Sequence, residues 1–509
     1  MFLAILTMRE RCFIWIGWFA VMALALWLRI DDLDARPIHF DEATGAHIFS
    51  QRFEEQGYRF DPTHYHGPFL SLSTWPLAKI FGQDSWQALS LNMLRTNAVI
   101  AGMLLVLTPL LWLKVIGPRA ALGAAALLAC SPLLVYYNRM YIHESWVALF
   151  GMLTAAGVYY VVQRPTPLRA VLAGVAAGLM FATKETVVIS LFCWALAGVA
   201  SWWLMRLGAE ASTPPKQLTG YLKPALWFSI SMLLTGAIFY GETLIDAFRT
   251  YFVYETTFGH EKPFSYYFSM LLLPKHALGM WWSEAGLALL GVLACVMVAC
   301  KKRGLSVVTF LALSVLAHLL VYSLIAYKTP WLVLLPWSLA CLLGGFVFSR
   351  TIRPSGLLKP ALLYGCFGLC LLYQTHQSLQ ASGRLSNHAD NPYAYVPTSK
   401  NMTQLPAWLN DLEAFTKDQS IEPIAVVGSS YWPLPWYLRE FELVGYWPDP
   451  TEDIASFPII FAMPEHTRLA NELYGDTHTQ LPRTLRSNVP INLYLKKEIW
   501  DAWTAPPNE

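Results

Sequence analysis

Residues 301–331 read KKRGLSVVTFLALSVLAHLLVYSLIAYKTPW. Three basic residues, Lys301, Lys302 and Arg303, lead into the uncharged run 305–325, and a single lysine, Lys328, follows between Tyr327 and Trp331. An apolar run of roughly 20 residues is the length an α-helix needs to cross a bilayer core. A cluster of Lys and Arg at one end marks the cytoplasmic side. The stretch therefore reads as a transmembrane helix running from inside to outside.

Ten further runs of the same kind flank it, which predicts spans at 12–30, 97–116, 120–137, 145–162, 168–183, 186–205, 224–241, 282–300, 305–325, 331–349 and 358–376. The composition agrees: 55% of the 509 residues are hydrophobic and 14% charged, against about a quarter charged in a soluble protein. Mean hydropathy is +0.39. Arg9 and Arg11 precede the first run and no small-x-small cleavage site follows it, so it is expected to stay as the first helix. With the N-terminus inside, every inner loop is basic: Lys114/Arg119, Arg164/Arg169, Arg206/Lys216/Lys223, Lys301–Arg303 and Arg350/Arg353/Lys359. That repeated pattern predicts a cytoplasmic N-terminus and an extracytoplasmic C-terminus. The eight cysteines lie in or beside apolar runs, and predict neither a disulfide framework nor a cysteine zinc site.

The expected fold class is thus an α-helical polytopic membrane protein of about 11 transmembrane helices, residues 1–377, followed by a small α/β soluble domain, residues 378–509. That last region carries 9 Lys and Arg against 16 Asp and Glu. A helix is expected at 401–417, short buried strands at Ile424–Val427 and Pro458–Phe461, a short helix at Pro433–Arg439 and a last strand at Ile491–Leu495. In the first outer loop, 31–95, amphipathic helices are expected at 43–56 and 85–95, the second capped by Asp84 or Ser85. The aromatic-rich segments 31–95 and 242–281 read as lying at the membrane surface.

Charge at membrane depth is costly and marks function. Four outer-face stretches carry it. His39-Phe40-Asp41-Glu42 offers adjacent carboxylates, either a general base or an acidic cap on the following helix. In the same loop as this first stretch, Tyr65-His66-Gly67-Pro68 reads as a turn. Arg139 and Glu144 are five residues apart, which one straight helix would not align but a broken one would. Lys184-Glu185 and Tyr327-Lys328-Thr329-Pro330-Trp331 place lysines on the side where the positive-inside rule predicts none: phosphate-facing cations, or anchors that snorkel. There is no basic stripe for nucleic acid and no Gly-x-Ser-x-Gly elbow.

The first-loop Asp41-Glu42 pair, the surface helix after it and the Arg and Lys in later outer loops resemble the GT-C glycosyltransferase superfamily. His39-Phe-Asp-Glu, Tyr65-His-Gly-Pro, Arg139-Met-Tyr-Ile-His-Glu, Ala182-Thr-Lys-Glu-Thr, Lys328-Thr-Pro-Trp and Tyr431-Trp-Pro-Leu-Pro-Trp-Tyr-Leu-Arg look like the bacterial and archaeal "flippase activity-associated" family, near the dolichyl-phosphate-mannose-protein mannosyltransferases. The resemblance runs from residue 1 to about 497. It implies an inner-membrane hexosyltransferase that takes a sugar from a polyprenyl-phosphate donor, with inversion, to an acceptor hydroxyl on a protein, glycan or lipid. It implies Asp41 as catalytic base beside Glu42, with Arg139, Lys184 and Lys328 on the lipid phosphate. His66, Tyr65, Glu144, Glu185 and Trp331 would line the cavity. No metal site is assigned, although His39, His64 and His66 with Asp41 leave a divalent metal open. The rival readings are a lipid-linked sugar flippase or its accessory, and a protein that recruits a partner through its C-terminal domain. A flippase needs polar groups through the whole membrane, and His318 is the one His, Asp, Glu, Lys or Arg away from the ends of the predicted spans.

Overall fold

The computed structural model describes residues 8–54, 57–207, 219–254, 259–301, 305–349, 360–416 and 420–505. The basic residues Lys216, Lys302, Arg303, Arg350, Arg353, Lys359 and the predicted helix end at Lys417 lie outside the described residues. The chain divides into two compact units. The first comprises Met1–Leu33, Tyr58–Phe81 and Asn92–Arg384; the second comprises Asp34–Gly57, Gly82–Leu91 and Leu385–Glu509.

The first unit is a helical membrane domain. Each of the eleven predicted spans falls on a helix. Seven described helical stretches are long and apolar enough to cross a membrane: Met8–Ile30, Leu91–Ile116, Glu144–Gln163, Val187–Leu204, Gly220–Val253, Val307–Leu324 and Pro330–Phe348. Pro118–Cys130, Pro167–Thr183 and Ala285–Ala299 are apolar but shorter, and Pro360–Ser382 is the last helix of the unit. The predicted span 120–137 is interrupted. Pro118–Cys130 stops at Ser131, whose extended backbone (φ −60°, ψ 121°) precedes a new helix opened by Pro132. Proline at the first helical position needs no hydrogen-bonded N–H, so it starts a helix readily. Helices Pro167–Thr183 and Thr219–Tyr240 approach through small residues. A Cβ on Gly174 would lie 2.3 Å from the Phe228 carbonyl oxygen, and one on Gly178 2.7 Å from that of Met232. Lipid supplies no hydrophobic drive between helices, so a small-xxx-small face that admits close backbones does the packing.

The second unit holds a five-stranded sheet. The chain's first two strands, β1 (Lys275–Ala277) and β2 (Met280–Trp282), form a separate hairpin in the first unit. The sheet consists of β3 (Ile424–Val427), β4 (Val444–Trp447), β5 (Ile459–Ala462), β6 (His478–Arg486) and β7 (Val489–Lys496), in the order β4-β3-β5-β7-β6. β3 pairs in parallel with β4 and β5, and the β5–β7–β6 side is antiparallel. The two continuous apolar strands, β3 and β5, are buried at every residue, as central strands with covered faces should be. β4 and β6 were not expected. Both are edge strands, and β6 carries Pro482 and two arginines, which read against a strand yet suit an edge.

Two expectations for the first outer loop fail. The helix predicted at 85–95 is a turn at 85–89 followed by a helix that begins only at Leu91. Gln83 closes that turn: its amide donates to Ser90 Oγ (2.8 Å) and accepts from Ser90 N (3.0 Å). Ser85 caps only the turn, accepting from Ala88 N at 3.3 Å. A helix at Phe69–Phe81, with Pro76 inside it, lies where the aromatic loop was expected. The segment 242–281 likewise contains the helices Leu244–Val253 and Tyr266–Leu272 and the β1–β2 hairpin.

Candidate active site

In the membrane unit three turns carry the polar residues. Helix Pro132–Tyr137 ends, and Glu144 starts the next helix after the break 138–143. Helix Pro167–Thr183 ends at Lys184, whose extended backbone (φ −157°, ψ 140°) turns the chain into Val187–Leu207. The third is the Tyr65–Pro68 turn.

These turns assemble a buried charge cluster. Lys184 Nζ donates to Glu144 Oε1 at 2.6 Å, with both side chains almost fully buried. Glu144 therefore pairs with Lys184 rather than with Arg139. Glu185 Oε2 lies 3.0 Å from His66 Nδ1, and the other ring nitrogen of His66 meets the Tyr254 hydroxyl at 3.4 Å. His66 stacks on Tyr254 and sets its ring edge-on to His143. Burial alone would lower the pKa of Lys184, but Glu144, Glu185 and Tyr254 outweigh it and hold the ammonium above its usual range. Burial would raise Glu185; His66 and Lys184 prevail and bring it down to about 2. His143 is pushed well below the usual histidine range by burial, then by His66 and Lys184, so it stays neutral. Gly67 locks the turn in place: a Cβ there would fall 2.2 Å from the Ala182 carbonyl oxygen. The glycine of the Tyr65-His66-Gly67-Pro68 motif is thus a close-approach residue against the end of helix Pro167–Thr183.

Arg139 donates to the carbonyl oxygens of Leu28 and Asp32, each at 3.0 Å, at the end of the first helix. Lys328 is buried, and its ammonium donates to the carbonyls of Lys262 (2.9 Å) and Ile325. Ile325 follows the end of helix Leu305–Leu324, where a cation complements the helix dipole. Trp331 is buried edge-on to Tyr137, and Tyr65 stacks on Tyr58.

The second unit holds the acidic pair. The helix is Phe40–Ser50, with His39 as its N-cap. His39 Nδ1 accepts from Asp41 N (3.2 Å), and Glu42 Oε2 accepts from His39 N (3.0 Å), closing a reciprocal capping box. Glu42 is fully buried and also lies 3.8 Å from Arg36. The two adjacent carboxylates therefore part company: Glu42 is the cap, while the Asp41 side chain is 37% exposed. Arg486 sits 4.7 Å over the Phe40 ring and acts electrostatically on Asp41.

His39 Nε2 donates to the Tyr395 carbonyl at 2.9 Å, so both ring nitrogens are used within the protein. His64 pairs with Asp61 (3.0 Å) and His66 with Glu185. Among the described residues no group of three or more His, Cys, Asp or Glu is arranged to hold a metal ion. Burial pushes His39 down to about 3, against the opposing pull of Glu42 and the Tyr395 carbonyl. The unfolded chain takes up this proton below about pH 6.5, and the folded chain refuses it until about 3. Stability is therefore complete above pH 6.5 and falls as pH drops towards 3, by about 5 kcal/mol at the limit. His39→Asn keeps a capping oxygen and should flatten that slope in denaturation midpoints of the full chain measured from pH 7 to 4.

Several polar residues escaped the sequence reading. Glu284 is fully buried and accepts from Ser131 Oγ (2.6 Å), Leu133 N (3.1 Å) and Trp337 Nε1 (2.7 Å). Arg29 is fully buried and donates to Asn138 Oδ1 and to the carbonyls of Leu128 and Ala129. Each is an ionisable residue at the end of an apolar run, which was the available signal. Tyr254 carried only an aromatic one.

Residues 65–210 match the family model described as dolichyl-phosphate-mannose-protein mannosyltransferase. That segment contains the Tyr65–Pro68 turn, the break at 138–143 and Lys184-Glu185. No curated protein matches the chain by sequence. Among solved structures, ArnT from Cupriavidus metallidurans in the apo state is similar with a TM-score of 0.57 at 16% identity, over 97% of this chain and 99% of that one. ArnT bound to undecaprenyl phosphate gives 0.56 at 14% with the same coverage. The oligosaccharyltransferase AglB from Archaeoglobus fulgidus, in complex with an inhibitory peptide and a dolichol-phosphate, gives 0.51 at 13%, over 97% of this chain and 77% of that one.

Proposed function

From the premise that this multi-pass membrane protein has the GT-C glycosyltransferase fold, we propose that it moves a hexose from a polyprenyl-phosphate donor to an acceptor hydroxyl. The reading places it in the inner membrane, with the N-terminus cytoplasmic and the reaction on the extracytoplasmic face. Support for the donor comes from the whole-length likeness to ArnT, which binds undecaprenyl phosphate, and to AglB, which binds a dolichol-phosphate.

The observation that carries the catalytic assignment is the division of labour within the acidic pair. Glu42 is committed to the cap and to Arg36, whereas the Asp41 carboxylate at the start of the helix stays 37% exposed, 3.7 Å from His39 Nδ1. Asp41 takes the proton of the attacking hydroxyl. The new bond joins that oxygen to the anomeric carbon, the bond from that carbon to the phosphate oxygen breaks, and the lipid phosphate departs with the electron pair. One such displacement inverts the anomeric centre. In the membrane unit Arg139 and Lys184 supply positive charge for the departing phosphate. Lys328, whose ammonium donates to the carbonyls of Lys262 and Ile325, is the third cation of that set.

The test uses the full chain in liposomes with a radiolabelled polyprenyl-phosphate sugar, following both transfer to an acceptor and transbilayer movement. Transfer of label to the acceptor is expected. Movement of the lipid-linked sugar without any transfer would overturn the reading in favour of a flippase.

A further inference from the structure

The second unit contains a cavity of about 360 Å³ that the reaction as written does not use. It is built where the Phe40–Ser50 helix, the turn at 85–89 and the crossover from β3 to β4 meet. Five aromatic residues line it: Trp86, Tyr431, Trp432, Phe441 and Tyr446. Tyr431 stands between Trp432 and Tyr446, with ring centroids 6.0 and 5.0 Å away. His47 bridges Trp86 (5.4 Å) and Trp432 (5.7 Å). The far wall is anchored: Arg439 lies 3.9 Å over the Trp436 ring and donates to the carbonyls of Gln87, Leu89 and Trp436. That clamp ties the turn to the C-terminal chain, so the aromatic walls are held in place before any ligand arrives. A volume of this size is in the range of small-molecule sites.

The lining selects a chemistry. Indole and phenol rings offer flat faces of negative potential, which suit the apolar, slightly positive C–H faces of a pyranose. His47, Gln87 and Glu442 add hydrogen-bonding groups at the same cavity. Burial lowers the pKa of His47, with Glu54 opposing. A neutral imidazole can donate at one nitrogen and accept at the other, as hydroxyls require. Arg439 and Glu442 both line the cavity, so a ligand of either charge meets repulsion as well as attraction. A neutral polyol meets neither.

The cavity also shares its structure with Asp41. His47 follows Asp41 by six residues on one helix, a rise of about 9 Å. The chain segment that carries Tyr431 and Trp432 is held by Arg486, which donates to the Ser430 carbonyl at 3.3 Å and covers the Phe40 ring. We infer that this aromatic cavity is a saccharide-binding subsite that holds the non-reacting part of a glycan acceptor. The acceptor role rests on the transferase function; the saccharide class rests on the cavity alone.

The experiment is binding by saturation-transfer NMR of the full chain in nanodiscs, without donor. The probes are mannose, glucose and galactose tetrasaccharides, choline chloride, and a serine-rich octapeptide. Wild type and Asp41→Asn should bind at least one tetrasaccharide, and Trp432→Ala and Tyr446→Ala should each weaken it at least tenfold. Trp432→Tyr, which keeps a flat ring, should recover most of the binding and so exclude a mere folding defect. Failure of all three saccharides to bind, binding of choline or peptide in their place, or unchanged saccharide binding in Trp432→Ala would each overturn the subsite. The two readings fail separately. Loss of transfer in Asp41→Asn with saccharide binding indifferent to Trp432 sinks the subsite alone. Full transfer in Asp41→Asn with Trp432-dependent binding sinks the assigned catalytic role and leaves the saccharide site standing.

Discussion

Lys184→Met should destabilise the membrane unit by about 3 kcal/mol or more, because it leaves the Glu144 carboxylate buried without its cation. The pair is short, 2.6 Å, and both side chains are shielded from water. Removing one member of such a pair typically costs about 3–5 kcal/mol, since the remaining charge keeps its desolvation penalty and loses its attraction. The effect falls towards the lower end here. Glu144 is the first residue of its helix, where the dipole returns up to ~2 kcal/mol to a negative charge. The double variant Lys184→Met/Glu144→Leu should recover most of the loss, because no unpaired charge then remains. Unfolding of the full chain in mixed micelles, followed by tryptophan fluorescence, measures all three proteins. The same series divides structure from chemistry. If Lys184 serves the lipid phosphate, the double variant regains stability but not transfer. Transfer restored together with stability would reduce Lys184 to a structural ion.

Asp41→Asn should lower the rate of sugar transfer by about 10²–10⁴-fold, the usual contribution of a positioned general base. The amide is nearly isosteric and accepts no proton at neutral pH. The backbone bond that His39 Nδ1 receives from Asp41 N does not involve the substituted group. Stability should therefore fall by no more than about 1 kcal/mol, from the lost charge beside Arg486 and at the helix N-terminus. Glu42→Gln should behave in the opposite way. Its amide can still accept from His39 N, but the interaction with Arg36 loses its charge, so stability falls by about 1–3 kcal/mol. Steady-state transfer and denaturation midpoints on both variants give the comparison. A rate collapse in Glu42→Gln with Asp41→Asn fully active would exchange the two roles.

The contrast between those neighbours shows where sequence reading stops. Adjacent carboxylates at 41 and 42 look equivalent in a string of letters. Glu42 is at the third position of a helix whose cap is His39, and only the observed helix start, three residues before the expected one at 43, makes that visible. The misread helix at 85–95 has a similar origin. Its apolar spacing suits a helix, but the Gln83–Ser90 clip closes a turn first, and a side-chain clip leaves no periodic trace.

Hydropathy and its period were enough to place the membrane helices, the β3 and β5 strands of the small sheet, and the stretches between helices that carry charge. Those properties follow from local physics: a bilayer demands an apolar run of a set length, and a central strand demands an unbroken apolar segment. Which charges meet belongs to the folded molecule. Lys184 finds Glu144 forty residues away and His66 finds Glu185 across 119, while the aromatic cavity draws on residues 47, 86 and 431–446. Coulombic and ring contacts act over a few ångströms of space, and no spacing along the chain reports that distance until the helices and strands have packed.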